Sequence, residues 1–185
     1  MAARDFLSMG YDFHNRGDLG GAIECFTRAI TVDPEYLPAY LVRGLSLCVQ
    51  GEFDEAIADF DRVIELNPTS AEAYCFRGEV RLEMADASFT DEQLRALEDF
   101  NHALRLKPGY GEAFHGRGRT FFNLGRFGAA SEDFDRAIKL RPDDPDPLVD
   151  RGRLKKRQGR LKDAVADFTA ALRLNAMLPH VYAAR

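Results

Sequence analysis

The residues of this 185-residue sequence that come nearest to a chemical motif cluster late in the chain. Arg151, Arg153, Lys155, Lys156, Arg157, Arg160 and Lys162 put seven cations into twelve positions, a density that can track phosphates. No aromatic residue falls between Val149 and Ala166 to stack a base, as single-stranded nucleic acid binding requires. The same predicted helix opens on Asp143, Asp144, Asp146 and Asp150, and acids at the start with bases at the end complement a helix dipole. The expected reading is a solvated helix matched to its own dipole. An anionic protein partner comes second, and nucleic acid is not expected.

Other chemistry finds little support. His14, His102, His115 and His180 have neither paired nor HExxH spacing, so no metal site is expected. No Ser, Cys or Lys has a general base at a helical neighbour position, and no glycine-rich loop follows a strand, so neither an enzyme nor a bound cofactor is expected. Cys25, Cys48 and Cys75 are odd in number and far apart, which fits a reducing compartment better than a disulfide framework. The N-terminus carries acids early and lacks an apolar signal core, and no stretch approaches the ~18 apolar residues of a membrane helix. Together these point to the cytoplasm. With 45% hydrophobic and 30% charged residues, the chain reads as globular rather than disordered. Its net charge of −5 is uneven. Residues 1–110 hold 10 bases and 20 acids (−10), and residues 111–185 hold 15 and 10 (+5).

What positions these residues is an internal repeat. Gly10, Gly44, Gly78, Gly118 and Gly152 are spaced 34, 34, 40 and 34. Ala22, Ala56, Ala96, Ala130 and Ala164 keep the same register, as do Phe26, Phe60, Phe100, Phe134 and Phe168. Pro34, Pro68, Pro108 and Pro142 form a fourth column, and Phe6, Tyr40, Tyr74, Phe114, Leu148 and Tyr182 a fifth. Each repeat holds two amphipathic helices; in the second, helix A is predicted over 37–50 and helix B over 53–66. Gly17, Gly51, Gly125 and Gly159 end the A helices as left-handed caps, and the recurring proline stops helix B. Glycine in helix A and alanine in helix B let the pair approach closely. Neither hairpin can bury its apolar face alone, so stacked neighbours must do so.

An aromatic, then Gly, Gly, Ala, Phe, Ala and Pro within 34 residues resembles the tetratricopeptide repeat (TPR). The resemblance covers essentially the whole chain. It implies an all-α, right-handed superhelical solenoid of helix-turn-helix hairpins, read as a single domain over 1–185. Five repeats fall at 3–36, 37–70, 71–110, 111–144 and 145–178, and a partial sixth at 179–185. It also implies a concave groove, lined by helix A, that holds a peptide or partner domain.

Two features depart from the family pattern. The seventh position, often Leu, is Met9 and then Arg43, Arg77, Arg117 and Arg151; sixteen residues on stand Cys25 and then Asp59, Asp99, Asp133 and Asp167. Both columns are neutral in the first repeat and charged in the others. Each Arg is therefore expected to pair with the Asp of its own repeat, a structural pair fixing hairpin register. The third repeat is six residues longer, around 85–93. Thr90 and Gln93 match a capping box, with Phe89 and Leu94 as its staple, so helix B is expected to restart at Asp91. Lys155 and Arg81 stand where other repeats carry Phe13, Leu47 or Phe121; their stems are expected to pack while the charges reach water.

By repeat position the groove wall would include Leu7, Tyr11 and His14, then Leu41, Val42 and Leu45, then Cys75, Phe76 and Glu79. His115 and Arg119 follow, and finally Asp150, Arg153 and Arg157. The family's clamp for acidic chaperone tails uses Lys, Asn and Arg where this chain has Leu7, Tyr11, Val42, Glu72 and Phe76, so such a tail is not expected as partner. The leading reading is a non-catalytic scaffold that holds apolar anchors toward Leu41, Leu45 and Phe76 and an acidic flank toward Arg119, Arg153 and Arg157. One alternative is a module of a larger protein whose other domain carries the activity. Another is a structural solenoid that self-associates through its ends, around Phe168, Ala171 and Leu172.

Overall fold

A computed structural model describes residues 1–85 and 91–175. Among them are ten helices and no strand: α1 (Ala3–Asn15), α2 (Leu19–Val32), α3 (Leu37–Gln50), α4 (Phe53–Leu66), α5 (Ala71–Met84), α6 (Asp91–Leu106), α7 (Gly111–Asn123), α8 (Phe127–Leu140), α9 (Asp146–Arg157) and α10 (Leu161–Leu174). The architecture is an all-α helical repeat. Helices α3 and α4 span the residues predicted for them. Two compact units result, unit 1 (Met1–Met84) and unit 2 (Ala85–Arg185). In unit 1, α1 pairs with α2 and α3 with α4, and α5 packs on α4. In unit 2, α7 pairs with α8 and α9 with α10, and α6 packs on α7.

The periodic columns account for the hairpins. Phe26, Phe60, Phe100, Phe134 and Phe168 are at most 1% exposed, each burial worth roughly 1.5–3 kcal/mol. In helix A, the facing glycine makes room for the ring. A Cβ at Gly44 would lie 2.8 Å from the Phe60 ring, and one at Gly118 2.7 Å from Phe134. Gly17, Gly51, Gly125 and Gly159 have φ between 71° and 85°, the left-handed region where glycine is unstrained. Helices α2, α4, α6 and α8 each stop two residues before the recurring proline. Helix α6 runs over Asp91–Leu106 and buries Gln93. Phe89 and Thr90 lie outside the described residues.

Arg43, Arg117 and Arg151 pair as the covarying columns require, and each does more besides. Arg43 donates through Nε and Nη2 to Asp59 at 2.8 and 2.6 Å. Arg117 does the same to Asp133 at 2.7 and 2.8 Å, and Arg151 to Asp167 at 2.9 and 2.7 Å. The remaining Nη1 reaches back to helix B of the preceding repeat. Arg43 meets Thr27 at 3.1 Å, Arg117 meets Asn101 at 2.8 Å and Arg151 meets Asp135 at 2.5 Å. Arg77 bonds Asp61 in the same way. The guanidinium of Arg43, Arg117 and Arg151 thus spends its rigid fork on its own hairpin and its free edge on the previous one. Hydrogen bonding to the buried carboxylate raises the pKa of Arg43 and Arg151 above the ordinary value.

Two expectations need correction. The Lys155 charge does not reach water: its Nζ lies 2.6 Å from Asp167 Oδ2, with the side chain 16% exposed. Asp167, almost fully buried, offers a nearer counter-charge than solvent. Nor do Phe168 and Ala171 form a sticky outer face. They are 1% and 0% exposed, packed with Leu148, Val149 and Ala164, with Leu172 partly buried against the same cluster.

Candidate functional site

The helix-A residues of unit 1 divide by burial. On α1, Leu7 packs beside Ala3, Ala29 and Ala39. Tyr11 is 44% exposed, its ring edge-on to Phe26 at 5.9 Å. On α3, Leu41 wedges between the cores around Tyr40 and Phe60. Val42 is half-buried, and its carbonyl accepts from Ser46 Oγ at 2.8 Å. Leu45 is 38% exposed. Phe76, on α5, stacks at 5.8 Å on Phe60.

Leu45 and Phe76 line one cleft of about 330 Å³, together with Cys48, Phe53, Val80, Glu79 and Glu83. That is the lower end of the range for ligand sites, and the apolar lining with a few polar groups is typical of them. Burial pushes the Cys48 thiol up to about 11, so it behaves as an apolar wall residue rather than a nucleophile. Leu41 and Val42 share α3 with Leu45, and Leu7 and Tyr11 lie on α1; none of the four lines this cleft.

In unit 2 the arrangement is ionic. Arg119, Phe122 and Asn123 of α7, Phe134 of α8, and Asp150 and Arg153 of α9 enclose about 170 Å³. Arg153 donates to Asp150 Oδ1 at 2.9 Å, and His115 Nε2 lies 2.8 Å from Oδ2. Burial alone would raise the Asp150 carboxyl. The hydrogen bond with His115 and the charges of His115, Arg153 and Arg119 more than offset it, and the group titrates below its ordinary value. Arg157 does not line the cleft. Its guanidinium stands 5.6 and 5.7 Å over the rings of Phe122 and Phe127, a cation–π contact. The basic run lacks an aromatic of its own, and the preceding hairpin supplies two.

The two clefts occupy the same place in the repeat. Counting 34 residues for an ordinary repeat and 40 for the longer one carries Leu45, Cys48, Phe76 and Glu79 onto Arg119, Phe122, Asp150 and Arg153. Cys48 and Phe122 were missed by sequence reasoning; Cys48 lies one turn after Leu45, and the repeat spacing carries it onto Phe122. The partners of the arginine edges were missed too. Thr27, Asp61, Asn101 and Asp135 follow the phenylalanine column by one residue and are polar every time.

Among the described residues no group of three or more His, Cys, Asp or Glu is placed to hold a metal ion, and no helix is long and apolar enough to cross a membrane.

Comparison with known proteins agrees with the columns. Family models described as TPR repeat and tetratricopeptide repeat match residues 44–84 and 111–144. No curated protein matches the chain. Among solved structures, a thermophilic TPR protein of Thermus thermophilus is similar with a TM-score of 0.84 at 20% identity, covering 98% of this chain and 96% of its own. PilW, a type IV pilus biogenesis factor, also gives 0.84, at 21% identity over 98% and 85%. YrrB, a TPR protein with an unusual peptide-binding site, gives 0.67 at 17% identity over 97% and 89%. Proteins of this repeat type generally mediate protein–protein contacts and are generally non-catalytic. On its five repeating columns, its glycine-capped hairpins and the two family matches, the chain belongs to the tetratricopeptide-repeat family.

Proposed function

We propose that this protein is a non-catalytic scaffold whose repeats, 3–36 through 145–178 with 179–185 opening a sixth, hold a peptide or a partner domain on their helix-A walls. The apolar cleft of unit 1 carries the reading: Leu45 is 38% exposed at the mouth of a roughly 330 Å³ hollow backed by Phe76, Phe53 and Val80. Leaving such a surface in water costs stability, and a bound apolar side chain recovers that cost. In unit 2, Arg119 and Arg153 supply cations suited to an acidic part of a partner. Leu41 and Val42 share α3 with the first cleft and Arg157 shares α9 with the second, while Leu7 and Tyr11 on α1 would extend the same wall. That YrrB, of the same fold, has a peptide-binding site supports a peptide as the ligand.

The test is capture from native extract by the intact chain beside its Leu45→Asp/Phe76→Asp variant, with circular dichroism verifying that both are folded. A partner held by the wild type and lost by the variant is the expected result. Equal capture by both removes the cleft as the working surface.

A further inference from the structure

Unit 1 is strongly acidic. Residues 1–84 contain seven arginines, no lysine and 15 acids, a net charge of −8. Two of those acids, Glu79 and Glu83, stand one turn apart on α5 and line the apolar cleft beside Leu45, Cys48, Phe53, Phe76 and Val80. Val49, 68% exposed, follows Leu45 by one turn on α3 and extends the apolar surface. A pocket with greasy walls and a carboxylate rim discriminates by charge as well as by shape. The equivalent cleft of unit 2 shows that the rim varies while the hairpins do not: Leu45 is replaced by Arg119, and Glu79 by Arg153.

We propose that the unit 1 cleft takes one large apolar side chain from a partner segment whose adjoining residues are Lys or Arg. The proposal rests on the scaffold reading and adds the partner's chemistry to it. The cleft volume suits a single Leu, Met or Phe side chain rather than a whole helix face. The carboxylates at its mouth, in the field of a unit at −8, favour a cationic flank and repel an acidic one.

A random peptide library displayed on phage, selected on the intact protein, tests this directly. Expected winners carry an apolar residue flanked by Lys or Arg. Their synthetic peptides should bind roughly tenfold more weakly to the Glu79→Gln/Glu83→Gln variant, and more weakly as salt rises. Replacing the apolar residue by Ala should abolish binding. Acidic or wholly polar winners, no enrichment at all, or unchanged affinity in the Gln variant would each overturn the proposal. Winners that need Leu45 and Phe76 but ignore Glu79 and Glu83 would sink it while leaving the scaffold reading intact. Winners indifferent to Leu45→Asp/Phe76→Asp would sink both.

Discussion

In unit 1 the helix-A cleft is walled by Leu45, Cys48 and Phe76. In unit 2 the cleft at the same repeat position is walled by Arg119, Phe122 and Asp150 and holds about half the volume, roughly 170 against 330 Å³. The hairpins around the two clefts are otherwise alike. Both bury a phenylalanine against a glycine, both cap helix A with a left-handed glycine, and both tie an arginine to a buried aspartate. The repeat therefore keeps packing and wall chemistry in different columns. Residues that face their own hairpin are held constant, and residues on the wall are free to change chemistry. In the second cleft the wall is ionic, with Arg153 bonded to Asp150 and His115 to the other oxygen of the same carboxylate.

If the two units share one framework, equivalent core truncations should cost alike. Phe60→Ala and Phe134→Ala should each destabilise by about 3–5 kcal/mol, read from urea unfolding. A cost below about 1 kcal/mol at either site would break the comparison. The arginine clamps come next. Asp59→Ala and Asp133→Ala should each cost roughly 2–3 kcal/mol. That is below the loss of a fully buried pair, because Arg43 and Arg117 keep 21% of their side-chain surface in water. Asp167→Ala should cost more than either, since it strands Lys155 as well as Arg151. Equal losses in the three variants would show that Lys155 finds water after all. The smallest effect concerns pH. Asp150 titrates below its ordinary value of 3.8, so its stabilisation is present above that value and is lost as pH falls through the lower folded one. Asp150→Asn should flatten the acid limb of the stability curve. Phe76→Leu, at the equivalent place in unit 1, should leave that limb unchanged.

Much of this framework is legible in the sequence, for a physical reason. A repeat writes each intra-hairpin contact several times, so the Gly–Phe approach, the glycine caps and the Arg–Asp pairs announce themselves as columns. The change of Met9 and Cys25 to Arg and Asp in later repeats even identifies which partners meet. Contacts made only once are harder to read. Lys155 looks like a packed stem with a solvated head until Asp167 is seen 2.6 Å away. Phe168 and Ala171 look exposed as the last helix B, yet they close on Leu148 and Val149 of their own hairpin. Clefts are less legible still, because Leu45, Cys48, Phe53 and Phe76 come from three helices and share no motif.

The arginine that holds two hairpins at once has a mechanical consequence. Arg151 grips Asp167 in its own repeat and Asp135 in the one before, so the bond lies across the line along which neighbouring hairpins would tear. A chain pulled from one end would yield in steps, each waiting on a guanidinium to let go. A step that frees an ordinary 34-residue repeat would release about 110–120 Å of extended chain.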